Sequence, residues 1–514
     1  MRKVFQRLTG LFLACFFLFS MGHAEMKTDS QKVEGIIYQV FVRAFADSDG
    51  DGVGDLQGVI QKLDYIESLG AKAIWLMPIH PSPSYHGYDV TDYRDVNPEY
   101  GSLADFSQLL EAAHARGIGV LIDIPFNHTS VKHPWFIASQ QADSPYRSWY
   151  HWVEEGQTQL DLNISVWNQK PWKKYGNAYY YAIFWDGMPD LNFNNPAVRE
   201  EVLSIAKFWL SLGVDGFRLD ATSHIYGEGE TQRLQDTEAS ADFWVWLSEQ
   251  IRQEYPNAYL LGEAWEPLSK RAELIRGLDS VVNFDVGDRL LPMLKSGGSG
   301  AAFVTMLEAV YEAYEASNPD YIDAPFLSNH DQNRVAASLV LKQDKMALAA
   351  RILLTLPGNP IIYYGEEIGM VGAKPDEELR TPMLWGGDDP LETRWRESRY
   401  NKKTIPVTQQ LKDNQSLLSV YLEMTALRNG QPALFSGGFE KYDSENSIPL
   451  AFWRNHGKEQ MLVLHNPSAN SQQIAVPEGL HPIFATVGAE NSDGTATLPG
   501  LGTLILSNQR ENTP

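Results

Sequence analysis

Eight short apolar runs, each followed by a stretch of helical character, recur between residues 36 and 363 of the chain. Such alternation is typical of βαβ units with parallel strands. Eight units of this kind close a barrel. We therefore predict an α/β fold built on a (β/α)8 TIM barrel. The predicted strands are residues 36–41, 73–77, 120–124, 216–219, 259–261, 281–284, 324–327 and 360–363.

One of these strand ends carries three ionisable side chains. Within residues 216–224, a short apolar run is interrupted and followed by Arg218, Asp220 and His224. Arg218 and Asp220 are two positions apart, so on a strand both point to the same face. A guanidinium close to a carboxylate favours the ionised form, which a carboxylate nucleophile requires. A purely structural arginine–aspartate pair is the alternative.

Three further strand ends favour the functional alternative. Residues 123–128, 262–265 and 327–331 each follow an apolar run and end in polar, ionisable residues. A parallel barrel collects such strand ends on a single face. We therefore expect all four stretches to contribute to one site.

In order and nearly letter for letter, the four stretches resemble the signature regions of the α-amylase family of glycoside hydrolases. The resemblance extends from about Glu34 to the end of the chain. A fifth segment, residues 188–192, resembles the group between oligo-1,6-glucosidases and neopullulanases, which contains bacterial α-amylases and some 4-α-glucanotransferases. The resemblance implies a domain B inserted after barrel strand 3 and a C-terminal antiparallel β-sandwich.

Changes in the sequence pattern agree with these implied domains. About sixty residues rich in Trp and Tyr separate His128 from Met188, too many for an ordinary βα loop. Past residue 431, helical periodicity gives way to short β-like runs. These runs are residues 450–453, 461–465, 473–476 and 503–506. The predicted order is a signal peptide over 1–24, the barrel over 25–127 and 191–430, domain B over 128–190, and the sandwich over 431–514.

The resemblance also implies catalytic roles. Asp220 matches the nucleophile, Glu263 the acid/base and Asp331 the family's third acid. Cleavage with retention needs one ionised and one protonated carboxyl group about 5 Å apart. We expect Arg218 to keep Asp220 charged, and we expect burial and neighbouring carboxylates to raise the pKa of Glu263.

Other matched residues are expected to bind the sugar. Residues 85–93 follow the second strand, and there an aromatic face can stack on a pyranose ring while polar groups bond its hydroxyls. In the family, the residues matching His86 and Tyr88 hold the sugar on the non-reducing side of the cut. The predicted substrate-binding residues are His86, Tyr88, Asp89, His128, Arg218, His224, Trp265, His330 and Arg380.

Two positions bear on the substrate. Ser223 stands where many α-amylases have a lysine that binds the leaving sugar, and Ala221 stands where members cutting α-1,6 bonds often have valine. The second feature favours α-1,4 linkages. We predict an α-amylase that hydrolyses internal α-1,4-glucosidic bonds of starch and maltooligosaccharides with retention. The alternatives are a 4-α-glucanotransferase, an α-glucosidase or neopullulanase-like enzyme, and, more remotely, a non-catalytic glycan-binding protein.

A cation site is expected after the first strand. Residues 47–55 alternate acids with glycines, a pattern suited to a hard cation. Gly58 stands where an EF-hand needs its bidentate glutamate, which excludes that motif. Resemblance to calcium-binding family members implies that Ca²⁺ is held by Asp47, Asp49, Asp51, Val53 and Asp55, with Asn127 at a possible second site. A solvated acidic turn is the alternative.

Charge limits the partners. The 514 residues carry a formal net charge of -23 with 43% hydrophobic content. Such a globular, acidic protein repels nucleic acid and anionic membranes, so the expected partner is an uncharged α-glucan. We also expect the protein to be a monomer.

The N-terminus has the pattern of a secretory signal. It combines a basic start, an apolar run over residues 11–19 that is too short to span a bilayer, and small residues before Glu25. We predict cleavage after Ala24 and an extracellular or periplasmic location. Lipidation of Cys15, the only cysteine, is the alternative.

Overall fold

The predicted apolar runs coincide with strands of the folded chain. The computed structural model describes residues 32–156, 162–226 and 236–509. Numbered in chain order, the strands of these residues are β1 Ile37–Val40, β2 Ala73–Leu76, β3 Gly119–Ile124, β4 Trp152–Glu154, β5 Trp172–Tyr175, β6 Ala178–Tyr181, β7 Gly216–Leu219, β8 Tyr259–Gly262, β9 Ser280–Asn283, β10 Ala324–Pro325, β11 Ile361–Tyr363, β12 Gly438–Lys441, β13 Leu450–His456, β14 Glu459–His465, β15 Gln472–Ala475, β16 His481–Ala485, β17 Glu490–Ser492, β18 Thr495–Leu498 and β19 Thr503–Ser507.

Helices alternate with the strands up to residue 436. They are α1 Val42–Phe45, α2 Leu56–Gln61, α3 Leu63–Ser68, α4 Leu103–His114, α5 Pro134–Ser139, α6 Pro196–Ser211, α7 Thr237–Arg252, α8 Leu268–Leu274, α9 Phe284–Ser296, α10 Gly300–Ser317, α11 Val335–Ser338, α12 Gln343–Thr355, α13 Asp376–Leu379, α14 Val407–Gln410, α15 Leu417–Gly430 and α16 Pro432–Ser436.

Eight parallel strands build the barrel. Their order is β10-β9-β8-β7-β3-β2-β1-β11, and every neighbouring pair is parallel. A parallel bridge between Phe326 and Ile361 joins the two outer strands, so the barrel is nearly closed. The predicted TIM barrel is confirmed.

Alternate strand residues face the barrel interior. Ile37, Trp75 and Leu121 belong to the interior cluster, whereas their neighbours pack against the surrounding helices. Both faces of each strand are therefore buried, which explains the nearly continuous apolar runs. Polar side chains in the inward rows near the carboxyl ends of the strands include Gln39 and Asp123, each two residues after an apolar inward residue.

The segment between β3 and β7 carries its own small sheet. Its strands have the order β4-β6-β5. Val166, Trp172, Tyr181 and Ile183 form a separate apolar cluster beneath this sheet. An antiparallel bridge between His128 and Asp190 joins the two ends of this segment at its base. We call residues 128–190 the insertion.

Two antiparallel sheets follow α16. The larger has the order β12-β13-β14-β19-β16 and the smaller β15-β18-β17. On the larger sheet, Leu462 and Leu504 face the smaller sheet, while Met461 and Ile505 join the core of the barrel. The predicted C-terminal sandwich is confirmed, and the central strands β14 and β19 of its larger sheet are largely buried on both faces.

Candidate active site

Two acidic side chains follow neighbouring barrel strands. Asp220 comes directly after β7 and Glu263 directly after β8, and these strands pair in parallel. Asp331 follows β10 after a short loop. Because all three positions lie beyond the carboxyl ends of parallel strands, they share the face on which such barrels carry their active sites.

Arg218 connects the carboxylates. It faces the barrel interior and is 1% exposed. Its Nη1 lies 2.6 Å from Asp220 Oδ1 and 2.9 Å from Asp123 Oδ1, and its Nη2 lies 2.8 Å from Glu263 Oε1. The nitrogens of one guanidinium thus hold Asp220 and Glu263 side by side, as a retaining pair requires.

The turn after β7 fixes the position of Glu263. The backbone N–H of Ala221 donates to Glu263 Oε2 at 3.2 Å, and that of Thr222 donates to the Glu263 carbonyl at 3.1 Å. Ala221 has a φ of 50°, which is uncommon for a residue other than glycine. The surrounding hydrogen bonds hold this conformation and aim a backbone donor at the carboxylate.

Burial raises the pKa values of both carboxyl groups. It raises the pKa of Asp220 to about 6, with Asp123 adding to the effect and Arg218 opposing it. It raises the pKa of Glu263 to about 7, again against Arg218, with the charges of Asp220 and Asp331 adding to the rise. The direction for Glu263 agrees with expectation. Arg218 was expected to keep Asp220 charged, but desolvation of the Asp220 carboxylate outweighs the guanidinium and raises the pKa. Near pH 7 Asp220 is nevertheless mostly ionised.

Asp331 differs from the other two acids. Burial alone would raise its pKa, but contacts with His330 and Arg380 outweigh burial and hold the pKa below its usual range. His330 Nε2 and Arg380 Nη2 each lie 2.8 Å from one of its oxygens. Asp331 is therefore a permanently charged acceptor, suited to bind sugar hydroxyls.

His330 lies at the centre of a buried hydrogen-bond chain. Gln39 Nε2 lies 2.8 Å from His330 Nδ1, and Tyr88 Oη lies 2.7 Å from His330 Nε2. Because an amide nitrogen can only donate, Nδ1 accepts and Nε2 carries the proton. Burial lowers the pKa of His330, in agreement with this neutral form. The Tyr88 ring stacks on it with centroids 5.7 Å apart.

His86 and Asp89 occupy different positions. The half-buried His86 stacks against Tyr88 at the cleft. Asp89 is 2% exposed, and its two oxygens accept hydrogen bonds from the hydroxyls of Ser82 and Ser84 at 2.6 and 3.0 Å. Asp89 therefore supports the loop that carries His86, which differs from the predicted sugar contact.

Arg380 lies beside His330, and His128 lies beside Tyr88. Arg380 contacts the His330 carbonyl at 3.1 Å and the Tyr85 hydroxyl at 3.4 Å. His128 Nε2 lies 3.1 Å from the Tyr88 carbonyl, and burial lowers the pKa of His128 to about 3. His128 is therefore a neutral side chain at physiological pH.

His224 and Trp265 lie on the opposite wall. His224 ends the turn that begins at Ala221, and its ring contacts that of Phe184 from the insertion. Trp265 is 59% exposed and stacks on Phe284 with centroids 4.9 Å apart. Ser223, at the position where many family members have a lysine, donates its hydroxyl to Glu266 Oε1 at 3.2 Å.

The structure adds site residues that were not predicted. Asp123 and Gln39 are fully buried beneath the catalytic carboxylates. The available signal was strand alternation: each residue follows an apolar interior-facing residue by two positions, so its own side chain also faces the barrel interior. Tyr85 stacks on Trp395 with centroids 5.4 Å apart, beside Arg380. No local pattern connects these two rings, because they are distant in sequence.

The acidic loop after α1 gathers carboxylates. Asp47, Asp49 and Asp55 each offer an oxygen, and these oxygens lie within 4.8 Å of one another. Asp51 lies outside this group, and its Oδ1 accepts from the Val53 N–H at 2.7 Å. Three converging carboxylates fit a hard divalent cation. Asp55 also caps α2 by accepting from the Gly58 N–H.

Asn127 has a different environment. It is 1% exposed and bonds Asp190, whose pKa burial raises to about 8. Within the described ranges, a group of three or more acidic, histidine or cysteine ligands occurs only at the loop after α1. The possible second calcium site at Asn127 therefore stays a prediction.

The predicted signal peptide and Cys15 lie outside the described residues. Across residues 32–156, 162–226 and 236–509, no helix is both long and apolar enough to cross a lipid bilayer.

A barrel that presents an ionised carboxylate beside a protonated one at its catalytic face has the machinery of a retaining glycosidase. Residues 39–437 match the family described as "Alpha amylase, catalytic domain". The chain therefore belongs to the α-amylase family and is a retaining glycosidase of that family.

Individual relatives differ in the activity that their names give. Alpha-amylase 3 of Dictyoglomus thermophilum is 44% identical over 436 residues, which cover 84% of each chain. A 4-alpha-glucanotransferase of Thermotoga neapolitana is 33% identical over 84% of this chain and 95% of its own. The crystal structure of alpha-amylase from H. orenii matches with a TM-score of 0.85 and 39% identity, covering 93% of this chain and all of the other.

Proposed function

We propose that the chain is a secreted α-amylase that hydrolyses internal α-1,4-glucosidic bonds of starch and maltooligosaccharides. The observation that carries the proposal is the single guanidinium of Arg218 between Asp220 and Glu263. It holds two adjacent carboxyl groups together whose pKa values burial raises, to about 6 for Asp220 and about 7 for Glu263, so the proton belongs on the group that must donate it.

In the first step, the Asp220 carboxylate attacks the anomeric carbon. The glycosidic C–O bond breaks, and the Glu263 proton moves to the leaving oxygen. In the second step, Glu263 takes a proton from water, the water oxygen bonds the anomeric carbon, and the bond to Asp220 breaks. Two inversions at one carbon give products with the α configuration.

The sugar on the non-reducing side of the cut binds between charged and neutral hydrogen-bonding groups. Asp331 and Arg380 form a charged pair for its hydroxyls, and the partly exposed His86 supplies hydrogen bonds, while the buried His330 and neutral His128 hold Asp331 and Tyr88 in place. The stacked Tyr88 ring offers a face to the pyranose. Hydrogen bonds to the ring hydroxyls that strengthen as positive charge develops lower the barrier.

A calcium ion belongs to the proposal as a structural group. Asp47, Asp49 and Asp55 would hold it, and the Val53 carbonyl is proposed as a further oxygen ligand. The ion would fix the loop between α1 and α2 and takes no part in the reaction. The mature protein is proposed to begin at Glu25 and to act as a monomer.

The second candidate is a 4-α-glucanotransferase using the same carboxylates. It is favoured by the glucanotransferase relative and by the exposed aromatic Trp265, which can bind an acceptor sugar. An α-glucosidase or neopullulanase-like activity would use the same site, and Ala221 favours α-1,4 over α-1,6 bonds among these. A non-catalytic protein is disfavoured by the complete set of Asp220, Glu263 and Asp331.

Product analysis over time tests the proposal. We expect soluble starch and maltotriose to give shorter maltooligosaccharides, with α anomers appearing first by NMR. Longer chains that dominate from the first time point would identify a glucanotransferase. Initial β anomers, or no cleavage of either substrate, would overturn the proposal.

A further inference from the structure

Trp167 occupies the tip of a hairpin in the insertion. Val166 and Gln169 exchange both backbone hydrogen bonds, at 2.8 and 2.9 Å, so Trp167 and Asn168 form a two-residue turn. Their φ values are 50° and 65°. Positive φ at both positions defines a type I′ turn, which favours Asn and Gly. A tryptophan at the first of these positions is a conformational outlier.

Core packing does not explain this tryptophan. Val166 at the base of the hairpin is 3% exposed within the small apolar cluster, and the Gln169 side chain bonds the Phe184 carbonyl. Trp167 itself is 60% exposed. The hairpin is therefore anchored at its base and presents the indole to solvent.

The indole lies next to the active-site wall. It stacks on Phe184 with centroids 5.8 Å apart and meets the edge of His224 at 5.5 Å. His224 belongs to the same short turn whose first residue, Ala221, donates its N–H to Glu263. One turn thus connects the exposed indole to the acid/base.

This wall is the leaving side of the cleft. The donor sugar binds among Asp331, His330 and Arg380, which contact one another. Glu263 must reach the oxygen between the donor sugar and its leaving partner. The wall from Ala221 to His224 therefore borders the leaving sugar, and after that sugar departs, the same space receives the acceptor.

We propose that Trp167 is the platform for a sugar ring on this side and that it favours a sugar acceptor over water. The inference rests on the proposed function. A pyranose face stacks on an indole, which loses little conformational entropy on binding. In the transfer step, the acceptor C4 hydroxyl bonds the anomeric carbon, the ester bond to Asp220 breaks, and the hydroxyl proton passes to the Glu263 carboxylate. In hydrolysis water takes the place of this hydroxyl: its oxygen bonds the anomeric carbon, the ester bond to Asp220 breaks, and its proton passes to Glu263.

Substitutions at Trp167 can distinguish the effect of the indole ring from the effect of the turn conformation. Trp167→Asn removes the indole and places a favoured residue in the type I′ turn, so the hairpin is retained. Trp167→Phe keeps an aromatic face. Tyr175→Ala is the matched control, because Tyr175 is a 46% exposed aromatic of the same insertion that packs on Trp152 rather than on His224.

The test uses α-maltosyl fluoride as donor and maltose as acceptor. Fluoride has no sugar ring, so formation of the glycosyl enzyme does not involve the leaving side. We expect Trp167→Asn to lower the ratio of transfer to hydrolysis about three- to tenfold, the effect of one lost aromatic stacking contact. Hydrolysis of dilute fluoride without maltose should fall less than this ratio does, Trp167→Phe should be intermediate, and Tyr175→Ala should match the wild type in both measurements.

The outcomes separate the two proposals. A wild-type protein that cleaves neither starch nor the fluoride would overturn the proposed function. Activity with the same transfer ratio in wild type and Trp167→Asn would overturn the role of Trp167 alone. If the melting temperature shows that Trp167→Asn does not fold, Trp167→Gly, which also tolerates positive φ, gives the deciding ratio.

Discussion

Arg218 is the residue on which the protonation of the site depends. It supplies one positive charge to three buried carboxyl groups, those of Asp123, Asp220 and Glu263. One charge cannot offset the desolvation of all three, so the pKa of each is raised despite the guanidinium. The site therefore holds a proton near neutral pH, and Glu263 has the highest pKa of the three.

Glu263→Gln should remove nearly all turnover and leave oligosaccharide binding. The amide still hydrogen-bonds but cannot protonate the leaving oxygen, and loss of an acid/base group costs about 10²- to 10⁴-fold or more. Steady-state rates on starch and calorimetry with maltotriose measure the two effects. A variant with unchanged hydrolysis would contradict the assignment. Asp220→Asn should be equally inactive, because a neutral amide is a poor nucleophile.

The pH dependence of kcat/KM should be bell-shaped with its maximum between about 6 and 7. Below about 6, Asp220 gains a proton and is no longer a nucleophile. Above about 7, Glu263 loses the proton that the leaving oxygen needs. Initial rates at low substrate across the pH range measure both limbs. A flat profile through pH 6 to 8 would contradict these roles.

At the scale of elements, the sequence predicts the eight barrel strands because each is apolar on both faces and ends in turn residues. Convergence of strand ends in a parallel barrel predicted one shared site, and the resemblance to the α-amylase family implied the roles of Asp220, Glu263 and Asp331 within it. Asp89 could not be placed, since only the fold shows that Ser82 and Ser84 take both of its oxygens. The contacts of Trp167 depend on how the insertion folds against the barrel, which periodicity does not encode.

Chelation should lower the melting temperature without abolishing activity at low temperature. A cation bound only by the folded loop stabilises by mass action, by about 2.7 kcal/mol at a hundred times its dissociation constant. Asp47 is the most buried of the converging acids, so Asp47→Asn should melt at the same temperature with and without chelator. Thermal scans of both proteins, with metal content checked, provide the test. Identical melting of wild type in calcium and in chelator would refute the site.

The turn after β11 should make stability fall as pH rises from about 4.5, the ordinary pKa of a glutamate, to about 8. Burial raises the pKa of Glu366 to about 8, although Tyr421 donates to its Oε1 at 2.9 Å. A raised folded-state pKa gives stability that is complete below the unfolded pKa and is lost as pH rises through about 8. Glu366→Gln keeps the acceptor without the titration.

Glu366→Gln should therefore lose less melting temperature than wild type between about pH 6 and 9, by a few degrees, since about 1 kcal/mol moves Tm by roughly 2–4 °C in large domains. Calorimetry at both pH values measures the difference. Glu478→Gln, at an exposed position, is the control and should follow the wild type. Parallel losses in all three proteins would contradict the role of Glu366.

For the whole molecule, the barrel and the C-terminal sheets share one core. Phe452, Met461 and Val463 belong to the same apolar cluster as the barrel helices. The buried Arg454 of β13 crosses the boundary and donates to the carbonyl of Thr355 at 2.6 Å, while the buried Arg428 of α15, within the barrel, donates to that of Leu356 at 2.6 Å. These donors satisfy carbonyls at and after the C-terminal end of α12, where no further helical N–H is available.

Arg454→Leu should destabilise the whole protein in a single transition. Arg454 is fully buried and also donates to the carbonyls of Gly437 and Gly438, so the substitution leaves buried acceptors without partners. Each such group costs about 1–3 kcal/mol, so we expect a loss of about 2–4 kcal/mol.

Residual activity reports the barrel and far-ultraviolet circular dichroism reports both parts, and the two signals should decline together at a lower temperature than in wild type. Arg276→Leu, which removes a surface pair with Asp242, is the control and should change little. Because the sheets and the barrel share a core, a variant whose sheets melt first while activity persists would show that the two parts are energetically independent.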